Sequence, residues 1–101
     1  MDDITPRDLA DDAVVLDVRE QNEWDAGHAP GAVHIPLGEL PERLGELPEV
    51  EPLPVICRSG GRSARAVQWL AAQGYDVVNV DGGMRLWAES DKPVTGGGEV
   101  L

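Results

Sequence analysis

The sequence has a single cysteine, no phenylalanine and no apolar run near the ~20 residues that span a bilayer. One thiol cannot form an internal disulfide. Cys57 together with His28 and His34 also makes a poor zinc set, so neither a disulfide framework nor a metal is implied. A reducing cytoplasm suits such a chain. Its opening residues, MDDITPRDL, are acidic where a signal peptide is basic and then apolar, so no membrane partner is expected. Positive charge is scarce as well: eight basic residues stand against nineteen acidic ones, for a formal net charge of -11. That balance argues against nucleic acid, whose phosphates require a broad basic face. It also disfavours anions at long range, so an anionic ligand must be captured by locally focused positive groups. Without phenylalanine, the core must draw on Val, Leu, Ala and three tryptophans.

Three of the eight basic residues, Arg58, Arg62 and Arg65, lie within nine residues of the one thiol, in CRSGGRSAR. The surrounding pattern says where that stretch sits. Ile4 is placed on a short edge strand, and Thr5-Pro6 reads as the start of a short helix over Pro6 to Ala10. Strands follow at Ala13 to Asp17, Ala32 to Ile35, Pro54 to Ile56 and Asp76 to Val80. Between them, helices are predicted over Arg19 to Ala26, through Leu37, Leu40 and Leu44, and from Arg62 to Gln73, with a last one over Met84 to Glu89. Counting Ile4, this is a five-stranded, mainly parallel sheet covered on both faces. A single domain over residues 1–95 is expected, with 96–101 as a flexible tail.

Cys57 therefore falls at the C-terminal end of a strand, before a glycine-containing loop and a helix. A helix N-terminus and nearby guanidinium groups both stabilise a thiolate. Glycine at 60 and 61 permits positive φ, so the N–H groups of Arg58 to Arg62 can curl around the sulfur. The plainer alternative is a small buried hydrophobe, the commonest fate of an isolated cysteine. The arginine-glycine context favours the reactive reading. Asp17 and Arg19 are placed to pair at a strand end and brace this loop, although an ordinary strand-terminal turn explains them as well. Gly82 and Gly83 are read as permitting close approach beside it, while Trp24 and Trp87 read as packing groups. Trp69, four residues after Arg65, is placed to contact it. His28 and His34 flank a proline-glycine turn and read as hydrogen-bonded structural residues.

Three segments carry a resemblance: DVREQNEWDAGHAPGAVHIP at 17–36, CRSGGRS at 57–63 and NVDGGMRLW at 79–87. In this order and spacing the chain resembles the rhodanese family of sulfurtransferases. The resemblance implies a three-layer α/β/α domain, with Cys57 as the carrier of a persulfide and no cofactor. The amides of Arg58, Ser59, Gly60, Gly61, Arg62 and Ser63 would form the cradle. Arg58 would grip an anionic donor such as thiosulfate, and Arg62 would close the loop at its helical end. Acceptors would be cyanide, a thiol or a partner protein, including a sulfur-relay partner in cofactor or tRNA thiolation. Phosphatase relatives have a loop one residue longer and a histidine before the cysteine. Here Ile56 precedes Cys57 and four residues separate it from Arg62, which favours sulfur over phosphate or arsenate. A protein-binding module on the same fold is the remaining alternative.

Overall fold

The computed structural model describes residues 3–97. Short β-branched and apolar runs form four strands: β1 (Val15–Asp17), β2 (Ala32–His34), β3 (Leu53–Ile56) and β4 (Val77–Asn79). All pair in parallel, in the order β2-β1-β3-β4. Parallel pairing brings every C-terminal strand end to one edge, where the loops after β1, β3 and β4 meet.

Among the described residues the sheet has four strands where five were expected. The fifth is reduced to one bridge between Ile4 and Val80, outside any strand. Ile4 donates its N–H to the carbonyl of Asn79 at 3.0 Å, and its own carbonyl accepts from Asp81 N–H at 2.7 Å. Pro6 then has no N–H to extend the ladder, and a single 3-10 turn at Pro6–Asp8 replaces the helix expected to Ala10. The carboxylate of Asp8 turns back to accept the N–H of Thr5 at 2.8 Å.

Among the described residues, three α-helices complete the layers: α1 (Gln21–Ala26), α2 (Gly61–Ala72) and α3 (Gly83–Glu89). The helix expected through Leu37, Leu40 and Leu44 is instead two 3-10 segments, Leu37–Glu42 and Leu44–Glu46. Pro41 lies inside the first and withholds an N–H, which suits short 3-10 pieces better than a continuous α-helix. Strand alternation divides the core between the two faces of the sheet. Leu16, Val55 and Val77 pack with Ala66 and Leu70 of α2 on one side. Val15, Ile56 and Val80 pack with Met84 and Trp87 of α3 on the other. After Pro93 the chain is still tied down: Thr95 and His28 exchange backbone hydrogen bonds of 2.9 and 2.8 Å, and Gly97 N–H reaches Asp25 O at 3.3 Å. Of the tail expected to be flexible, 98–101 lie outside the described residues.

At the C-terminal end of β1, Asp17 and Arg19 are both fully buried and form a bidentate ion pair. Arg19 Nε lies 3.0 Å from each carboxylate oxygen and Nη2 lies 2.8 Å from Oδ2, while Nη2 also donates to the carbonyl of Gly27 at 2.7 Å. The pair therefore fastens the exit of α1 to the end of β1. Removing one partner of such a buried pair leaves the other charge uncompensated, which costs about 3–5 kcal/mol. That is a large part of the ~5–15 kcal/mol that holds a domain together. Asp17→Asn is therefore expected to lower the urea midpoint sharply, and an unchanged midpoint would show that the pair is dispensable.

Candidate active site

Cys57 follows directly on β3, and α2 starts four residues later, so the intervening loop has to turn tightly. Gly60 makes that turn at φ 120°, in the region that favours glycine. Gly61 behaves differently from the expectation. It has no positive φ, and a Cβ on it would meet nothing within 4 Å. Only Gly60 is required by backbone conformation.

The loop is held from outside by the start of α3. The carbonyls of Cys57, Arg58 and Ser59 accept the N–H groups of Met84 at 2.8 Å, Arg85 at 3.0 Å and Gly82 at 3.1 Å. With its carbonyls drawn outward, the loop turns its N–H groups inward. Gly60 N–H donates to Cys57 Sγ at 3.1 Å, and the hydroxyl of Ser63 lies 3.3 Å from the same sulfur. Gly83 makes this docking possible, since a Cβ there would overlap the carbonyl oxygens of Cys57 and Arg58. A Cβ on Gly82 would instead strike the side chain of Leu86.

Cys57 is 1% exposed, as the plainer reading of a buried hydrophobe anticipated. Its surroundings are nevertheless polar. Burial is the largest single influence on the thiol and raises its pKa. The hydroxyl and N–H of Ser63 and the N–H groups of Gly60 and Ser59 together outweigh it, so the net direction is downward.

The three arginines separate. Arg62 turns to α1 and forms a two-pronged ion pair with Glu23, Nη2 lying 2.8 Å from Oε2. Its charge is thereby largely committed to a carboxylate. Arg58 is exposed and has no salt-bridge partner among the described residues, and Arg65 is likewise exposed on α2. Asp17 and Arg19 form no hydrogen bond with residues 57–63; they act on the loop at one remove, by fixing α1, which carries Glu23. Trp24 stacks with two imidazoles, its ring centroids 3.5 Å from that of His28 and 4.7 Å from that of His34. His28 Nδ1 bonds the carbonyl of Trp24 at 2.9 Å and His34 Nε2 that of Arg19 at 2.7 Å.

Three contributors were not singled out from the sequence. Glu23 sits in DVREQNEW without any local sign of a partner 39 residues away. Asn79 is the one polar residue in the run VVNV, and a buried amide needs a partner: its Oδ1 meets Ser63 Oγ at 2.5 Å. That polar intrusion into an apolar strand was the available signal. The backbone donors of α3 leave no side-chain signature beyond the paired glycines. Away from the loop, a cavity of about 690 Å³ lies among Leu44, Leu47, Val50, Leu53, Tyr75 and Val77. It borders the N-terminal ends of β3 and β4, and none of the titratable groups around Cys57 reaches it.

The Rhodanese-like domain family model matches residues 5–90. The chain belongs to the rhodanese-like domain family. Among its relatives is the "Putative sulfurtransferase YtwF" of Bacillus subtilis, 43% identical over 79 residues that make up 78% of this chain and 77% of that protein. The "Putative sulfur carrier protein YrkF" of the same organism is 49% identical over 74 residues, covering 72% of this chain. The match spans only 40% of YrkF's own length. A rhodanese-related protein of Thermoplasma volcanium has a crystal structure that superposes with a TM-score of 0.82 at 36% identity, over 92% of this chain and 96% of that one.

Two predictions follow from the geometry of this rhodanese-like domain. In Gly83→Ala the new Cβ cannot be placed without moving the carbonyls it would overlap, and φ +53° adds about 1–2 kcal/mol for a residue with a side chain. The variant should melt lower and alkylate at Cys57 only at higher pH. An unchanged alkylation profile would separate loop docking from thiol activation. The second concerns acid. Glu23 is held at a pKa of about 2, below its ordinary 4.5, chiefly by its hydrogen bond to Arg62. Its contribution to stability is complete above pH 4.5 and is lost as pH falls through about 2. Glu23→Gln should therefore be less stable near neutrality and lose less of its urea midpoint than wild type between pH 4.5 and 2. Parallel acid profiles would count against the ion pair.

Proposed function

We propose that this domain is a sulfurtransferase that carries sulfane sulfur as a persulfide on Cys57. The observation that supports this best is the donation of Gly60 N–H to the one thiol of the chain, in a loop whose N–H groups face it, with Cys57 pKa directed downward. The names of the relatives YtwF and YrkF, a sulfurtransferase and a sulfur carrier, point the same way.

In the first half-reaction, the Cys57 thiolate attacks the outer sulfur of thiosulfate. A new S–S bond forms at Cys57, the donor's S–S bond breaks, and sulfite leaves with the bonding pair. Charge balances, since a thiolate and a dianion give a persulfide anion and a dianion. In the second, cyanide or a thiolate attacks the terminal sulfur, and the Cys57 thiolate leaves. No general base is needed when the thiolate is already formed. N–H groups of residues 58–63 hold the terminal sulfur, acting as an oxyanion hole does for oxygen. Arg58, exposed and without an ion-pair partner, is the guanidinium available to an anionic donor. Arg62, committed to Glu23, shapes the loop's helical end.

A loop with four residues between Cys57 and Arg62 encircles a single sulfur more closely than a phosphoryl group with three equatorial oxygens. This favours sulfur over phosphate or arsenate. A docking module without chemistry needs no donors aimed at a thiol, which disfavours that alternative. A partner protein as acceptor is consistent with the sulfur-carrier name of YrkF.

Incubating the protein with thiosulfate, followed by intact-mass measurement, tests the reading. One added sulfur atom is expected, with stoichiometric sulfite, and cyanide should remove it as thiocyanate. Cys57→Ser should take up none. Uptake by that variant, or none by wild type from thiosulfate or a low-molecular-weight persulfide, would overturn the proposal.

A further inference from the structure

Ser63 is fully buried, and its single hydroxyl proton has three acceptors within reach. Gly60 O lies at 3.2 Å, Cys57 Sγ at 3.3 Å and Asn79 Oδ1 at 2.5 Å. The shortest contact is to an oxygen that can only accept. Asn79 is itself buried at 4% exposure, and its orientation is fixed from the other side: Nδ2 donates to the carboxylate of Asp3 at 3.0 Å. Turning the amide over would set its carbonyl oxygen against that carboxylate. While Asp3 is ionised and in place, Asn79 thus presents oxygen to Ser63, and the proton of Ser63 points away from the sulfur.

This arrangement fits one protonation state of Cys57 better than the other. A neutral thiol can donate S–H to Ser63 Oγ, whose own O–H then donates a hydrogen bond to Asn79 Oδ1. A thiolate needs the Ser63 proton for itself. If Ser63 turns to supply it, two oxygen lone pairs face each other across the short Ser63–Asn79 contact. The loop N–H groups favour the thiolate, whereas the hydroxyl relay favours the thiol. The part of the thiol's pKa lowering that comes from the Ser63 hydroxyl is available only after Asn79 gives way.

We propose that Asp3 and Asn79 are positioning residues that direct the Ser63 proton away from Cys57 and so restrain formation of its thiolate. Asp3 acts from the surface through two side chains. The other charged groups around the loop are independent of it. Arg58 and Arg62 belong to the loop and α2, Glu23 of α1 is paired with Arg62, Asp81 follows β4 beside Gly60, and Arg85 belongs to α3. The proposal deepens the persulfide reading, because the same thiolate would take up sulfur. Its test reads the thiol alone.

The test is the pH dependence of Cys57 alkylation by iodoacetamide in wild type, Asp3→Ala, Asp3→Asn, Ser63→Ala and the Asp3→Ala/Ser63→Ala double variant. Asp3 is exposed, so its replacement spares the core, and Asp3→Asn keeps its size while letting the Asn79 amide turn. Both Asp3 variants are expected to move the midpoint down by about 0.5–1 pH unit, the worth of one net hydrogen bond. Ser63→Ala removes the relay that favours the thiol and should move it down as well. In the Ser63→Ala background, Asp3→Ala should have no further effect. Superimposed profiles for wild type and both Asp3 variants would overturn the proposal. So would a shift that persists without Ser63, since that is a through-space effect of charge. If thiosulfate adds no sulfur while the Asp3-dependent profile stands, the persulfide reading falls and this one survives.

Discussion

Three carbonyl groups carry much of the structure's meaning. A peptide unit presents its C=O and N–H on opposite sides, so anchoring the carbonyls of Cys57, Arg58 and Ser59 on the backbone of residues 82–85 decides where the loop's donors face. The inward donors then make a buried sulfur tolerable as an anion. Glycine at position 83 is part of the same constraint, because the two backbones approach too closely for a Cβ. The second and third motif segments thus form one object: one supplies the sulfur and the other holds the loop around it.

Charge is handled by pairing rather than by accumulation. In a protein with a formal net charge of -11, an open cluster of arginines around a thiol would be the obvious way to attract an anion. The fold distributes them otherwise. Arg62 is tied to Glu23, and Arg19 is buried against Asp17 and the carbonyl of Gly27. These pairs run from the end of β1 through α1 to the start of α2, so electrostatics here fixes the position of elements around the loop. Backbone dipoles act on the sulfur directly. Such donors are fixed by the fold and need little reorganisation when charge appears, which is the condition under which they stabilise an anion most effectively.

Burial and polarity meet in Ser63 and Asn79. Both lie on the α2 side of the sheet, at the edge where the strands end, where an apolar pair would have served packing equally well. A buried amide and hydroxyl are tolerable because their hydrogen bonds are met, and three acceptors compete for the hydroxyl's one proton. That mismatch makes the site responsive to the state of the sulfur.

Much of the architecture was legible in the residue pattern. Apolar runs of three to five residues ending at Asp17, Ile56 and Val80, separated by helical periodicity, require parallel strands with buried faces, and the strand before Cys57 followed by a helix is a local property of the chain. The family resemblance rested on three segments in order. Local pattern was weaker where proline competes with periodicity: Pro6 and Pro41 left 3-10 turns in place of helices, and Ile4 made one bridge where a fifth strand was expected. The close approach of Gly83 to the loop was legible in the paired glycines, whereas the pairings of Arg62 with Glu23 and Ser63 with Asn79 came only with the tertiary structure. A sequence determines which groups each residue carries and the local conformations they prefer. Whether a guanidinium meets a substrate or a carboxylate, and where a single hydroxyl proton points, depends on groups brought together across tens of residues, because hydrogen bonds act over about 3 Å and no local periodicity encodes them.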